Sequence, residues 1–165
     1  METRDITDLD MAREIALRRI TARARSAFEL RKDLIQRQVS PEVADQVVTR
    51  FIEVGLVDDA EFARAWVRSR SATKSLSRTS LRRELIAKGI GDEEISQALD
   101  EMGGSDEEVA LDLARRKISG FLDQDKATIT RRLSGYLLRR GFSYSVIQNC
   151  VRQVINEVGS ITGDE

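Results

Sequence analysis

The residues whose types and spacing could do chemistry are arginines and lysines, and 14 of the 27 fall into two stretches that are almost free of acids. Residues 64–88 contain eight basic side chains and one acid, Glu84, and residues 126–152 contain six basic side chains and no acid. This segregation creates local positive fields, although the formal net charge is -1. Because arginine suits carboxylate and phosphate surfaces, we predict that an anionic partner binds Arg64, Arg68, Arg70, Lys74, Arg78, Arg82, Arg83, Lys88, Arg131, Arg132, Arg139 and Arg140.

Solvated helix faces are the alternative interpretation of either stretch taken alone. Arg64 and Arg68 share a helix face, because they are four residues apart. The four predicted arginines of the second stretch, Arg131, Arg132, Arg139 and Arg140, are spaced so that they point to more than one face of their helix, and not all of them can contact one partner.

No catalytic constellation can be assembled from the remaining residue types. The chain has no histidine and one cysteine, Cys150, so Ser-His pairs, Cys-His pairs and Cys/His zinc sites are not expected. The glycines are scattered, and no lysine follows Gly103-Gly104 as a phosphate-binding loop would require. Asp58 and Asp59 could hold a metal ion, but Glu61 has capping-box spacing and favours a helix start. We predict no enzyme activity, no metal and no cofactor.

A threefold internal repeat supplies the elements that must position the basic residues. Three segments align without gaps from Leu30, Leu81 and Leu133, so the copies are 51 and then 52 residues apart. Their apolar residues recur in register at Leu34, Leu85 and Leu137; Ile35, Ile86 and Leu138; Val39, Ile90 and Phe142; Ala44, Ile95 and Ile147; Val48, Leu99 and Val151.

Each copy of the repeat has the pattern of two helices with a short break between them. Ser40 followed by Pro41 is a strong helix start, and Asp92 and Ser143 are predicted to cap the equivalent helices. Gly89 and Gly141 suit a left-handed turn before those starts, where the first copy has Gln38. A third helix is predicted before each pair, at about residues 12–25, 58–71 and 105–118, the last two opened by capping boxes.

Packing roles are predicted for the single tryptophan and the single cysteine. Trp66 lies four residues after Phe62, so both rings share one helix face and are expected to pack repeat one against repeat two. Cys150 aligns with Val47 and Ala98, which predicts a buried thiol that acts as a small apolar side chain.

Composition and the repeat together predict an all-α protein. The chain has 165 residues, of which 41% are hydrophobic and 33% charged, with one proline. Three tandem three-helix repeats should form an elongated, curved, right-handed solenoid-like array. We place a flexible acidic N-terminus at 1–10, the repeats at 11–57, 58–104 and 105–158, and a flexible C-terminus at 159–165. No apolar run approaches the about 20 residues that span a bilayer, and no secretory signal is apparent, so a cytoplasmic protein with no membrane partner is expected.

The ordered pattern resembles the RecX family. GLVDDAEFARAWVRSR (residues 55–70), followed by LRRELIAKGI (81–90), is similar to the central signature of RecX proteins. Upstream, ARSAFELRKDLIQRQVSPEVADQVVTRFIEVGLVDD (24–59) is similar to the family's first repeat in spacing and residue type. The resemblance covers residues 16–151. The chain departs from the family pattern in the link at 69–80, which has neither glycine nor proline, and in an insertion at 119–128.

This resemblance implies a function as well as a fold. RecX proteins bind nucleoprotein filaments of the RecA recombinase in their helical groove, and suppress ATP hydrolysis, strand exchange and coprotease activity. The resemblance thus implies a regulator, expected to be a monomer, that modulates DNA repair, DNA recombination and the SOS response. It also implies weak direct binding to single- or double-stranded DNA.

Direct DNA binding as the main role is the alternative prediction. The helix triplets have some likeness to helix-turn-helix units, and basic residues flank their turns. Against this role, Asp92, Glu93 and Glu94 lie beside one turn, and aromatic residues are too few to form a stacking platform for a single strand.

Overall fold

Each copy of the sequence repeat folds into three helices. The structure is a computed structural model that describes residues 7–162, and within this range it contains nine α-helices and no strand. The predicted all-α class of three-helix repeats is therefore confirmed. In chain order the helices are α1 (Leu9–Ala22), α2 (Ala27–Gln36), α3 (Pro41–Glu53), α4 (Asp59–Thr73), α5 (Arg78–Ala87), α6 (Asp92–Met102), α7 (Asp106–Ile118), α8 (Lys126–Leu138) and α9 (Tyr144–Thr162).

Side-chain caps set most of the helix starts, largely as predicted. The Ser40 hydroxyl accepts the N–H of Val43, and Ser105 forms a complete capping box with Glu108. Ser143 accepts the N–H of Val146 at the start of α9. The prediction that Asp92 caps α6 is wrong. Asp92 is the first helical residue, and the carbonyl of Gly91 accepts the first helical hydrogen bond at 3.1 Å.

The first helix begins earlier than the sequence pattern predicts. Asp8 caps α1 by accepting the N–H groups of Asp10 and Met11, and the helix ends where Arg23 becomes extended. Helices α1 and α9 thus reach into the segments that were expected to be flexible ends. Residues 1–6 and 163–165, on which the rest of that expectation falls, lie outside the described residues.

A positive backbone φ ends the second helix in each repeat. Gly89 and Gly141 have φ values of 73° and 85°, as their residue type predicts. Gln38 takes the same role in repeat one with a φ of 66°, although a side chain makes this conformation unfavourable. The three turns are therefore equivalent.

The repeat register is also the register of the core. Leu30, Leu34 and their equivalents in the second and third repeats, Leu81, Leu85, Leu133 and Leu137, are fully buried. By compactness the chain divides into a first unit, which runs up to Trp66 and includes Glu84–Glu101, and a second unit, which contains Val67–Arg83 and begins again at Met102.

Each unit has its own apolar core. In the first unit, α1, α2 and α3 bury a cluster around Ala16, Leu34 and Val47. In the second unit, α7, α8 and α9 bury a cluster around Leu113, Leu133 and Val154. Cys150 belongs to this second cluster and is 3% exposed, which confirms its predicted packing role.

A pair of hydrogen bonds, which we call the first joint, ties repeat one to repeat two within the first unit. The hydroxyl of Ser26, the cap of α2, donates to the carbonyl of Lys88 at 2.6 Å. The N–H of Ala27 donates to Asp59 Oδ1 at 2.8 Å. Because Asp59 is the first residue of α4, the joint connects the start of α2 to the start of α4 and the end of α5.

The second joint repeats this chemistry within the second unit. The hydroxyl of Ser77 donates to the carbonyl of Gly141 at 2.7 Å, and the N–H of Arg78 donates to Asp106 Oδ1 at 2.8 Å. Ser77 and Arg78 occupy the register positions of Ser26 and Ala27, and Asp106 begins α7 as Asp59 begins α4. Successive repeats are therefore joined by the same groups.

Candidate partner-binding surface

The basic residues of repeat two are carried by α4, α5 and the turns that follow them. Arg64, Arg68 and Arg70 lie on α4, and Arg78, Arg82 and Arg83 lie on α5. Arg68, Lys74 and Arg83 are exposed, whereas the other members of this stretch are half-buried. The predicted set therefore divides by exposure, and the exposed members are the ones that a large partner can reach.

Arg64 has its charge balanced within its own neighbourhood. Its Nε donates to Glu61 Oε2 at 3.0 Å, and Glu101 Oε2 lies 3.9 Å away. The hydrogen bond to Glu61 raises the pKa of Arg64 above its usual range. The local positive field of this arginine is reduced accordingly.

Lys88 contributes to the fold through an aromatic and acidic cluster. Its ammonium lies 2.8 Å from Glu29 Oε1 and 4.4 Å from the centroid of the Trp66 ring. Trp66 stacks on Phe62 with ring centroids 6.0 Å apart, and its indole N–H donates to Glu84 at 2.8 Å. Phe62 is buried and Trp66 is half-buried, so the tryptophan forms the edge of the packed region.

The cluster also changes the acidity of Glu29. Burial raises the pKa of Glu29, but hydrogen bonds from Lys88 and Arg23 outweigh it, and the net pKa is lowered. Glu29 therefore stays ionised beside the Lys88 ammonium, and this pair adds to the first joint.

The basic residues of repeat three are carried by the second half of α8 and the turn after it. Arg131 and Arg139 are exposed, and within residues 7–162 neither forms an ion pair. Arg132 is exposed with its guanidinium carbon 5.4 Å from the Phe121 ring centroid. Arg140 is half-buried and stacks over Tyr136 at 3.9 Å. Arg140 is thus held against an aromatic ring, while Arg131 and Arg139 project as uncompensated cations.

A groove between α8 and α9 contains two cations that the predicted set omits, Lys126 and Arg152. The groove has a volume of about 240 Å³. Helical spacing could have revealed it, because its polar residues recur every four positions on each helix. They are Lys126, Thr130 and Ser134 on α8, and Gln148, Arg152 and Asn156 on α9.

The acids singled out in the sequence act as helix and joint residues. Asp58 accepts the N–H of Glu61 at 3.0 Å, as expected of a cap. Asp59 accepts the N–H of Ala27, and burial of the carboxyl raises the pKa of Asp59 despite that hydrogen bond. Within the described part of the chain, no group of three metal-binding side chains occurs.

The thiol and the helix lengths give two further observations. Burial raises the pKa of the Cys150 thiol, whose sulfur lies 3.5 Å from the carbonyl of Glu107. Among residues 7–162, no helix is long and apolar enough to cross a bilayer.

Comparison with known families matches each repeat separately. The models for the first, second and third three-helix domains of RecX match residues 12–51, 58–99 and 105–151. Between them the matched ranges leave out residues 52–57 and 100–104, which are the last residues of the predicted first and second repeats.

Whole-chain comparisons give the same family name. The chain is 38% identical over 161 residues to the regulatory protein RecX of Streptomyces coelicolor, covering 95% of this chain and 86% of the relative. It is 41% identical over 143 residues to that of Mycobacterium ulcerans, covering 83% and 80%. The crystal structure of RecX from Lactobacillus salivarius superposes with a TM-score of 0.75 at 20% identity, over 88% of this chain and 96% of that one. This last likeness concerns the fold.

Proposed function

Because this chain belongs to the RecX family of regulatory proteins, we propose that it binds the RecA nucleoprotein filament and inhibits its activities. The activities concerned are ATP hydrolysis, strand exchange and coprotease activity. Binding in the filament groove would modulate DNA repair, DNA recombination and the SOS response. In this proposal the protein is a cytoplasmic monomer that acts by binding and not by catalysis.

The exposed cations of repeats two and three are the observation that carries this proposal. Lys74, Arg83, Arg131 and Arg139 are exposed, and within residues 7–162 none of them forms an ion pair. A nucleoprotein filament offers both carboxylates and phosphates, and contact with either would neutralise these side chains. Several weak contacts made by one chain add through multivalency, so no single deep pocket is required.

The test titrates ATP hydrolysis by RecA on single-stranded DNA with the native chain and with Arg83→Glu. We expect inhibition by the native protein, and a concentration for half-inhibition about tenfold higher for the variant, since a reversed charge both loses an attraction and adds a repulsion. Lys32→Glu is the matched control. Lys32 is exposed, occupies the register position of Arg83 in repeat one, and forms no ion pair among the described residues.

The outcomes of this titration separate the parts of the proposal. If the native protein at stoichiometric excess leaves ATP hydrolysis unchanged, RecA inhibition is wrong. If Arg83→Glu and Lys32→Glu inhibit like the native protein, the contact does not involve Arg83. Arg131→Glu combined with Arg139→Glu applies the same test to repeat three.

Direct DNA binding is the alternative function, and the acid-free stretch at residues 126–152 is the observation that favours it. A protein that neutralises phosphates releases counterions, so its DNA affinity must fall steeply as salt rises. A nearly flat salt dependence of DNA affinity would argue against this alternative. Retained DNA binding without any effect on RecA would favour it.

A further inference from the structure

The groove between α8 and α9 combines an apolar floor with cationic and neutral polar sides. Val151 is buried and Ile155 is half-buried, and both lie in the floor. Lys126 lies at the start of α8, and Arg152 lies on α9. The groove is therefore suited to a ligand that is anionic in part and apolar in part.

The two cations of the groove are uncompensated. Within residues 7–162, neither Lys126 nor Arg152 forms an ion pair. Glu157, which follows Arg152 on α9, is already engaged by Arg115, whose guanidinium donates to both of its carboxylate oxygens at 2.7 and 3.0 Å. The sequence from Lys126 to Arg152 contains no acid. The charge of the groove is thus complementary to an acidic ligand.

The neutral polar side chains fit a peptide backbone. Gln148 and Asn156 are exposed and carry amide groups that can both donate and accept hydrogen bonds. The Thr130 hydroxyl already donates to the carbonyl of Lys126 at 2.8 Å, so its oxygen can only accept from a ligand. The two amides, in contrast, can pair with both the N–H and the carbonyl groups of an extended peptide.

The lining favours a protein ligand over a nucleic acid strand. Single strands bind where bases stack on aromatic rings, and no aromatic residue lines this groove. A phosphate backbone would leave the floor of Val151 and Ile155 unused, whereas an aliphatic side chain between two carboxylates would bury it. Carboxylates also form charge-assisted hydrogen bonds with lysine and arginine.

We propose that this groove binds an acidic peptide segment of a protein partner. An apolar side chain of the segment rests on Val151 and Ile155, and flanking carboxylates contact Lys126 and Arg152. The proposal rests on the proposed function in one respect, because the partner is the protein whose activity this chain regulates.

The test records amide shifts of the isotope-labelled full chain by NMR during titration with an acetylated and amidated peptide of alternating aspartate and leucine. A peptide with asparagine in place of aspartate is the neutral control, and a short oligothymidylate is the nucleic acid control. We expect the acidic peptide to shift amides of α8 and α9 around Thr130 and Arg152. Lys126→Glu combined with Arg152→Glu should weaken this binding about tenfold, since two attractions are reversed.

Lys32→Glu combined with Arg18→Glu is the matched variant for the peptide titration. It makes the same change in net charge, and both residues are exposed and lie outside the groove and outside the basic set assigned to partner binding. The proposal is overturned if the neutral peptide binds equally well, if no groove amide shifts at millimolar acidic peptide, or if both double variants lose binding equally. Displacement of the peptide by oligothymidylate with the same amides shifted would assign the groove to nucleic acid instead.

A second readout separates this proposal from the proposed function. If the native chain inhibits RecA and the Lys126→Glu/Arg152→Glu variant inhibits equally well, the groove assignment is wrong and the regulatory function stands. If the native chain does not inhibit RecA while the acidic peptide still binds α8 and α9 specifically, the choice of RecA as partner is wrong and the groove assignment stands.

Discussion

Replacing Gly89 with alanine should destabilise the protein by much more than replacing Gly55, although the two glycines have nearly the same backbone conformation. Their φ values are 73° and 76°, so a β-carbon meets the same left-handed strain at both positions. The difference lies in the neighbours. A β-carbon on Gly89 would lie 2.5 Å from Cγ of Phe28 and would overlap its Cβ, whereas one on Gly55 would have no neighbour within 4 Å.

The magnitudes follow from these two contributions. Left-handed strain costs about 1–2 kcal/mol, and the lower entropy of the unfolded alanine chain offsets about 0.4–1 kcal/mol of it. Gly55→Ala should therefore lower the free energy of unfolding by about 1 kcal/mol. Gly89→Ala adds an overlap with Phe28 atoms next to the backbone, which cannot swing away, and such overpacking costs about 1–3 kcal/mol more. Movement of α2 would also stretch the hydrogen bond from Ser26 to the carbonyl of Lys88.

The assay is urea denaturation followed by helical circular dichroism, with both variants compared with the native chain. We expect the loss for Gly89→Ala to exceed that for Gly55→Ala by at least about 1 kcal/mol. Gly141→Ala and Gly103→Ala form a second pair with a smaller expected contrast, because Gly141 faces the Ser77 and Ser80 hydroxyls, of which that of Ser80 can rotate away, whereas Gly103 faces open space. Equal losses within a pair would refute the close approach of the repeats as the reason for these glycines.

Two further predictions concern the joints. Ser77→Ala should lower the free energy of unfolding by about 2 kcal/mol, because it removes a helix cap and leaves the Gly141 carbonyl unpaired. Ser143→Ala removes only an exposed cap and should lower it by about 1 kcal/mol or less. Urea denaturation of both variants measures the difference. Burial raises the pKa of Asp59 in the folded protein above that of an aspartate in the unfolded chain. The contribution of the Asp59 carboxyl to stability is therefore fully present below the unfolded pKa and is lost as the pH rises through the folded pKa. The difference in unfolding free energy between the native chain and Asp59→Asn, measured between pH 3 and pH 7, should therefore fall with rising pH, and a difference that rises would contradict the assigned shift.

The helices and their core could be predicted from the sequence, because periodicity and capping are local signals. Leu34, Leu85 and Leu137 are buried in the register that the alignment predicts. The position that follows these leucines is apolar in all three repeats but does not belong to the core in each of them. Ile86 and Leu138 are 58% and 65% exposed. Apolar character alone therefore did not distinguish a core position from an exposed one.

The positions of the basic residues could be predicted only in part. The two basic stretches are visible in the sequence, but the sequence does not show that Lys88 is paired and half-buried whereas Arg83 is exposed. Lys88 is paired by residues far from it in the chain: it forms an ion pair with Glu29, which precedes it by 59 residues, and lies over the ring of Trp66. The prediction that Asp92 caps α6 failed for a local reason. An acid is favourable in the first turn of a helix as well as at the cap, and glycine is tolerated at the cap, so Gly91 can take that position.

The two joints have a consequence for how many copies the array can hold. Each joint needs a serine hydroxyl that donates from one repeat and an aspartate at the first helical position of the next. In the third repeat the register position of Ser26 and Ser77 is Ile129, and the cap of α8 is Asp125, one turn earlier. Neither the Ile129 side chain nor an ionised Asp125 carboxylate has a proton to donate to a further carbonyl. The first repeat starts α1 with Leu9 instead of aspartate. A head-to-tail contact between two molecules of this chain could therefore not form these hydrogen bonds, so the joint chemistry distinguishes contacts within the array from contacts between molecules.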